Sequence, residues 1–148
     1  MKNKAIHSRL REFNRIMKET DRMYEDVSKK FKISNAAFWI LYFLRENELP
    51  RTQSEICFVS HLPKQTVNSA LKKLESDRYI NMAFGDNKKS KQIVLTEKGC
   101  KLAESTADVV IAAEHRALKS FSDSEYRTFL QLFEKYKNSV KSDFEKID

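Results

Sequence analysis

From Ile6 to Phe31 the apolar residues fall at Ile6, Leu10, Phe13, Met17, Tyr24, Val27 and Phe31, in steps of four and three, with Thr20 in the one gap. Steps of that size keep side chains on one face of an α-helix. A helix over residues 5–31 would be about 40 Å long, more than a small globular core can cover. A narrow apolar seam on so long a rod must be covered, so it is expected to pack partly on the chain's own C-terminal helices and partly on another chain. The C-terminal end carries a similar pattern, Tyr126, Phe129, Leu130, Phe133, Tyr136, Val140, Phe144 and Ile147. Only 2 Gly and 2 Pro occur in 148 residues, so the backbone is seldom broken. The fold class expected is mainly α with a small β-hairpin.

The middle of the chain is more varied. "SNAAFWILYFLREN" is apolar all round from Ala36 to Leu44, which marks a buried central helix with Ser34 as its N-cap. "TQSEICFV" opens with Thr52 and places Glu55 three residues on, a capping box that starts a short helix with Ile56 and Val59 inward. "SHL" is a tight turn, and Pro63 then starts another helix, where its missing N–H costs nothing. In "PKQTVNSALKKLESD" the inward residues are Val67, Ala70, Leu71 and Leu74. Gln65, Ser69, Lys72 and Ser76 lie opposite, flanked by Thr66, Asn68 and Lys73. That outer face has no carboxylate until Glu75. "YINMAF" and "KQIVL" surround a Gly-containing loop and predict a β-hairpin, with Ile80, Met82 and Phe84 on one face. Thr96 caps a helix predicted to run unbroken over 97–120. Ser122 and Glu125 form a second capping box, with Phe121 and Tyr126 placed as a hydrophobic staple.

The formal net charge is +7 and the pI about 9.4, a balance that points to a polyanionic partner. Cys57 and Cys100 have neither a metal-ligand spacing nor a disulfide framework. His7, His61 and His115 are scattered, and no nucleophile or acid/base cluster is recognisable. No catalytic residue, metal or cofactor is expected, so the chain reads as something other than an enzyme. The N-terminus is too charged for a signal peptide, and the longest apolar run, 36–44, is too short to span a bilayer. The expected location is the cytoplasm, without a membrane partner.

"LPKQTVNSALKKLESDRYI" followed by "VLTEKG" resembles the winged helix–turn–helix of the MarR family of bacterial transcriptional regulators. The motif match covers roughly residues 52–99, and element order agrees along the chain. The resemblance implies a single domain over 1–148. In it, residues 34–99 form the DNA-binding lobe, 1–33 and 120–148 are dimerisation helices of a homodimer, and 97–120 is a long connecting helix. It places Lys64, Gln65, Thr66, Asn68, Ser69, Lys72 and Lys73 on a recognition helix, and Asn87, Lys88, Lys89 and Lys91 on the wing. Where the family usually has an Asp–Arg pair at the wing, this chain has Asn87–Lys88. Lysine lacks arginine's planar fork, so the wing is expected to attract phosphate more than to read sequence.

The partner implied is double-stranded DNA with a palindromic operator, half-sites about one helical turn apart. Members of the family often respond to small aromatic ligands bound between the dimer helices and the DNA-binding lobe. By that resemblance Phe38, Trp39 and Tyr42 are candidate pocket residues for a small aromatic effector, and the chain reads as a repressor relieved by it. Two other readings compete. A helical interaction module that has lost DNA binding conflicts with the basic outer face of 64–73. A redox-responsive regulator would use Cys100, near a helix start where the dipole stabilises a thiolate. Redox-sensing relatives usually place that cysteine in the first helix, and residues 1–35 contain none.

Overall fold

The computed structural model describes residues 2–46, 51–84 and 90–147. It is mainly helical with a small three-stranded antiparallel sheet. Two compact units divide the chain, Met1–Val109 and Val110–Asp148.

The first unit opens with α1 (Lys2–Lys30), a 29-residue helix. Phe13, Met17, Tyr24 and Val27 are half-buried, whereas Ile6 and Leu10 stay 60% and 47% exposed, so the seam is covered only toward its C-terminal end. α2 (Asn35–Glu46) is the central helix that its apolar run predicts, with Phe38, Ile40 and Leu41 fully buried. Ser34 caps it: its hydroxyl accepts a hydrogen bond from the Ala37 N–H at 3.1 Å. α3 (Gln53–Ser60) and α4 (Lys64–Ser76) pack on α2. Ala37, Ile40, Leu44, Ile56, Val67, Leu71 and Leu74 form one apolar core with Ile80 and Ile93 from the sheet.

The sheet consists of β1 (Arg51–Thr52), β2 (Ile80–Phe84) and β3 (Lys91–Leu95), in the order β1-β3-β2. β2 and β3 pair as the expected hairpin, Ile80 opposite Leu95 and Phe84 opposite Lys91. β1, which the sequence reading missed, pairs Arg51 with Ile93. Phe84, expected on one face of β2 with Ile80 and Met82, is 62% exposed. The alternation continues, but the strand outruns the core, and the Lys91 ammonium lies 5.8 Å from the centre of the Phe84 ring instead.

The unbroken helix expected over 97–120 is two helices, α5 (Glu97–Glu104) and α6 (Ala107–Leu118). The hydroxyls of Ser105 and Thr106 both donate to the Leu102 carbonyl, at 3.0 and 2.6 Å. The Thr106 N–H turns to the Ala103 carbonyl at 3.1 Å, a tighter step than an α-helix uses. Adjacent Ser and Thr thus compete for the carbonyls that would have continued the helix.

The second unit contains α7 (Asp123–Phe144). The Ser122–Glu125 capping box is present in full. The Ser122 hydroxyl accepts from the Glu125 N–H (3.3 Å), and the carboxylate accepts from the Ser122 N–H (2.8 Å). The Ser122 N–H first, and its hydroxyl at 2.8 Å second, hold the Glu125 carboxyl below its usual range. No residue of α7 is buried among the described residues. Phe129, Leu130, Phe133 and Tyr136 all stand in solvent.

Candidate nucleic-acid interface

The site is built outward from Thr52. Its hydroxyl accepts from the Glu55 N–H at 3.2 Å, and the Glu55 carboxylate accepts from the Thr52 N–H at 2.6 Å. This box starts α3. The N–H bond first, and the Thr52 hydroxyl second, hold the Glu55 carboxyl below its usual range. α3 ends at His61, whose backbone is left-handed (φ 52°), and the Leu62 N–H donates to the Ser60 hydroxyl at 3.2 Å. The chain then turns at Pro63, whose carbonyl accepts from the Val67 N–H at 3.0 Å and begins α4.

Val67, Leu71 and Leu74 lock one side of α4 into the core. This orients the other side without further contacts. Lys64, Gln65, Thr66, Ser69, Lys72 and Lys73 are all exposed, and Asn68 is half-buried beside them. Lys73 pairs with Asp77 at 3.2 Å, a loose bridge between exposed groups. Lys64 and Lys72 make no ion pair among the described residues. The outer face of α4 is therefore amide, hydroxyl and ammonium on a rigid helix. In a major groove, amides pair with adenine, ammonium groups with guanine, and hydroxyls with either.

Of the wing residues, Lys91 is described and exposed at the start of β3; Asn87, Lys88 and Lys89 lie outside the described residues. The base of the hairpin is held from behind. Lys98 of α5 donates to the Asp77 carbonyl at 2.8 Å and covers the Tyr79 ring at 4.3 Å. The sequence reading passed over that lysine, since nothing in "LTEKG" signals a reach back across the hairpin.

Phe38, Trp39 and Tyr42 come together, with ring centres 5.2 to 6.1 Å apart. They belong to a packed aromatic cluster. Tyr24 of α1 lies 5.2 Å from Trp39, and Phe38 has no exposed surface. An open groove lies elsewhere. About 590 Å³ in volume, it runs between the α1–α2 turn and α4, and Lys32, Ser34, Gln65, Ser69 and Lys73 are among its lining residues. Cys57 and Cys100 are free and half-buried. Among the described residues, no three His, Cys, Asp or Glu side chains gather as a metal site. No helix there is long and apolar enough to cross a membrane.

Comparison with known proteins agrees with this geometry. A sequence model described as the MarR family matches residues 31–81, the stretch from the end of α1 into β2. The uncharacterized HTH-type transcriptional regulator YwoH of Bacillus subtilis (strain 168) is 29% identical over 103 residues, 70% of this chain and 74% of that protein. Among solved structures, the MarR/EmrR family transcriptional regulator from Acinetobacter sp. ADP1 is 26% identical, with a TM-score of 0.66 over 92% of this chain and 96% of that one. The S. aureus MepR–DNA complex superposes with a TM-score of 0.68 at 23% identity, over 86% of this chain and 93% of that one. A MarR family transcriptional regulator from Listeria monocytogenes complexed with 26mer DNA gives 0.66 at 24% identity, over 90% and 89%. The matches are thus to transcriptional regulators with a winged helix–turn–helix.

Proposed function

We infer that this chain, of MarR type in its central segment and its winged-helix fold, is a homodimeric regulator that binds double-stranded DNA by sequence. The observation that carries the reading is the outer face of α4: six exposed polar or cationic side chains, no carboxylate among them, on a helix whose other side is locked into the core. Three of the similar structures are complexes with DNA, which supports it. Gln65 and Ser69 would read base edges, while Lys64, Lys72 and Lys73 would hold phosphate or guanine. The lysines of the wing, Lys88, Lys89 and Lys91, would follow the flanking backbone.

Dimerisation is supported by the apolar surface that α7 and the N-terminal half of α1 leave in solvent. A two-fold pair would cover both and impose a palindromic operator. Repression relieved by a small aromatic ligand is the regulatory part of the reading. The Phe38–Trp39–Tyr42 cluster supports it only as a place where repacking could open space.

The test is duplex selection from a random pool, followed by titration of the enriched sites. Gln65→Ala should relax preference at particular bases by about 1–3 kcal/mol, and sedimentation should show a dimer. Uniform weakening on every sequence would remove Gln65 from base reading. An absence of salt-dependent duplex binding would end the proposal.

A further inference from the structure

We propose that Lys32, in the turn between α1 and α2, is a further DNA contact that holds the phosphate backbone passing beside α4. The role rests on the DNA-binding reading above, and three independent features carry it.

The first is backbone conformation. α1 ends with the Lys32 N–H donating to the Lys29 carbonyl (3.0 Å) and the Ile33 N–H to the Ser28 carbonyl (3.3 Å). This is a Schellman ending, and Lys32 occupies its left-handed position with φ 57°. Glycine is the usual residue there, because a β-carbon crowds the backbone in that region. A side chain kept at such a position asks for a reason beyond the fold. Favourable charge at the helix C-terminus is not sufficient, since Lys29 and Lys30 in the last turn already supply it.

The second feature is placement. Lys32 helps line one side of the 590 Å³ groove, and Gln65, Thr66, Ser69 and Lys73 of α4 line the other. A helix seated in a major groove about 12 Å wide has phosphates on both flanks. With α4 seated in that way, the turn that carries Lys32 would stand on one of those flanks.

The third is availability. The Lys32 side chain is exposed, and its ammonium makes no hydrogen bond or ion pair among the described residues. Nearby Lys29, by contrast, is bonded to Asp26 at 3.3 Å. A hydrated ammonium on a flexible stem suits a point contact with phosphate, which fixes register and carries no sequence information.

The test uses the full chain and duplexes enriched by the wild-type protein. Lys32→Gly removes the charge and suits the backbone, so its melting temperature should equal or exceed that of wild type. Each phosphate contact contributes about 0.9 to the log–log salt slope, so losing one per protomer of a dimer should flatten it by about 1.8. Between 50 and 200 mM salt, the fall in affinity should then be about 12-fold smaller than for wild type. Base preference should persist, and Lys32→Arg should keep the wild-type slope. A Lys32→Gly protein with wild-type affinity and slope overturns the role of Lys32 while leaving the DNA-binding reading intact. If the wild-type protein itself shows no salt-dependent duplex binding, that reading fails, and the role of Lys32 fails with it.

Discussion

Gly99 is the third residue of α5, and its substitution by alanine tests how tightly the wing's root is joined to the helix–turn–helix. A β-carbon at residue 99 would lie 1.9 Å from the Tyr79 carbonyl oxygen, 2.9 Å from its carbon and 3.2 Å from Leu95 Cδ2. No positive φ is involved, so glycine is required here for space rather than for conformation. Nor can the Tyr79 carbonyl retreat freely. It accepts hydrogen bonds from the Thr96 N–H at 3.0 Å and the Thr96 hydroxyl at 3.2 Å. Overpacking costs about 1–3 kcal/mol, and each hydrogen bond stretched or lost about 1 kcal/mol more. Alanine's better helix propensity returns about 1 kcal/mol. The net expectation for Gly99→Ala is a loss of about 3 kcal/mol. At about 2–4 °C per kcal/mol for a chain of this size, the melting temperature should fall by about 6–12 °C. Thermal unfolding followed by circular dichroism measures it. Protein concentration must be matched, because the midpoint of a dimer depends on it. A midpoint within about 2 °C of wild type would mean that α5 moves off Tyr79 at little cost, and the close approach would not be what fixes glycine there.

Thr52→Ala should cost about 1 kcal/mol in chemical denaturation, since it removes half of the α3 capping box. Glu55 tests the same box through pH. Its folded pKa is depressed, so its stabilisation is present above the unfolded value and is lost as pH falls through the folded one. Glu55→Gln should therefore flatten the acid limb of the stability–pH curve below about pH 4.3, and an unchanged limb would refute the box as its cause. Arg45 and Asp108 form a two-pronged bridge between α2 and α6, Nε to Oδ1 at 2.8 Å, with each side chain about two-thirds covered. Arg45→Ala should cost about 2 kcal/mol, and a double-mutant cycle with Asp108→Ala should return a coupling of about 1–2 kcal/mol. A coupling near zero would reduce the bridge to a surface pair.

What could be read ahead in the sequence was local. The two capping boxes declare themselves within four residues, because each is a side chain bonded to a nearby N–H. The buried faces of α2 and α4 follow from helical spacing, and the polar outer face of α4 is what remains once Val67, Leu71 and Leu74 are turned inward. Missed features depend on neighbours distant in sequence. β1 is two residues long, and only Ile93 and Gln92 opposite make it a strand. The left-handed Lys32 could not be foreseen, since the customary signal is glycine and this chain ends α1 without one. The break between α5 and α6 did have a signal, the adjacent Ser105 and Thr106. Apolar residues recur at helical spacing on both sides of it, which masks the two hydroxyls. Phe38, Trp39 and Tyr42 lie within five residues on one helix, so their meeting follows from spacing, but periodicity does not separate a cavity wall from a packed cluster.

The pairing of β1 with β3 also sets an order of events when the chain folds. The β2–β3 hairpin closes over a few residues and can form within microseconds. Arg51 reaches Ile93 only by closing about forty residues, and that loop contains all of α3 and α4. Joining those ends costs about 1.5 kcal/mol more chain entropy than the hairpin does. Nothing repays it until Ile56, Val67 and Leu71 have met Ile80 and Ile93 in the core. On that entropy argument, the outer face of α4 is oriented when the core assembles, and the β1–β3 pair closes the lobe only afterwards.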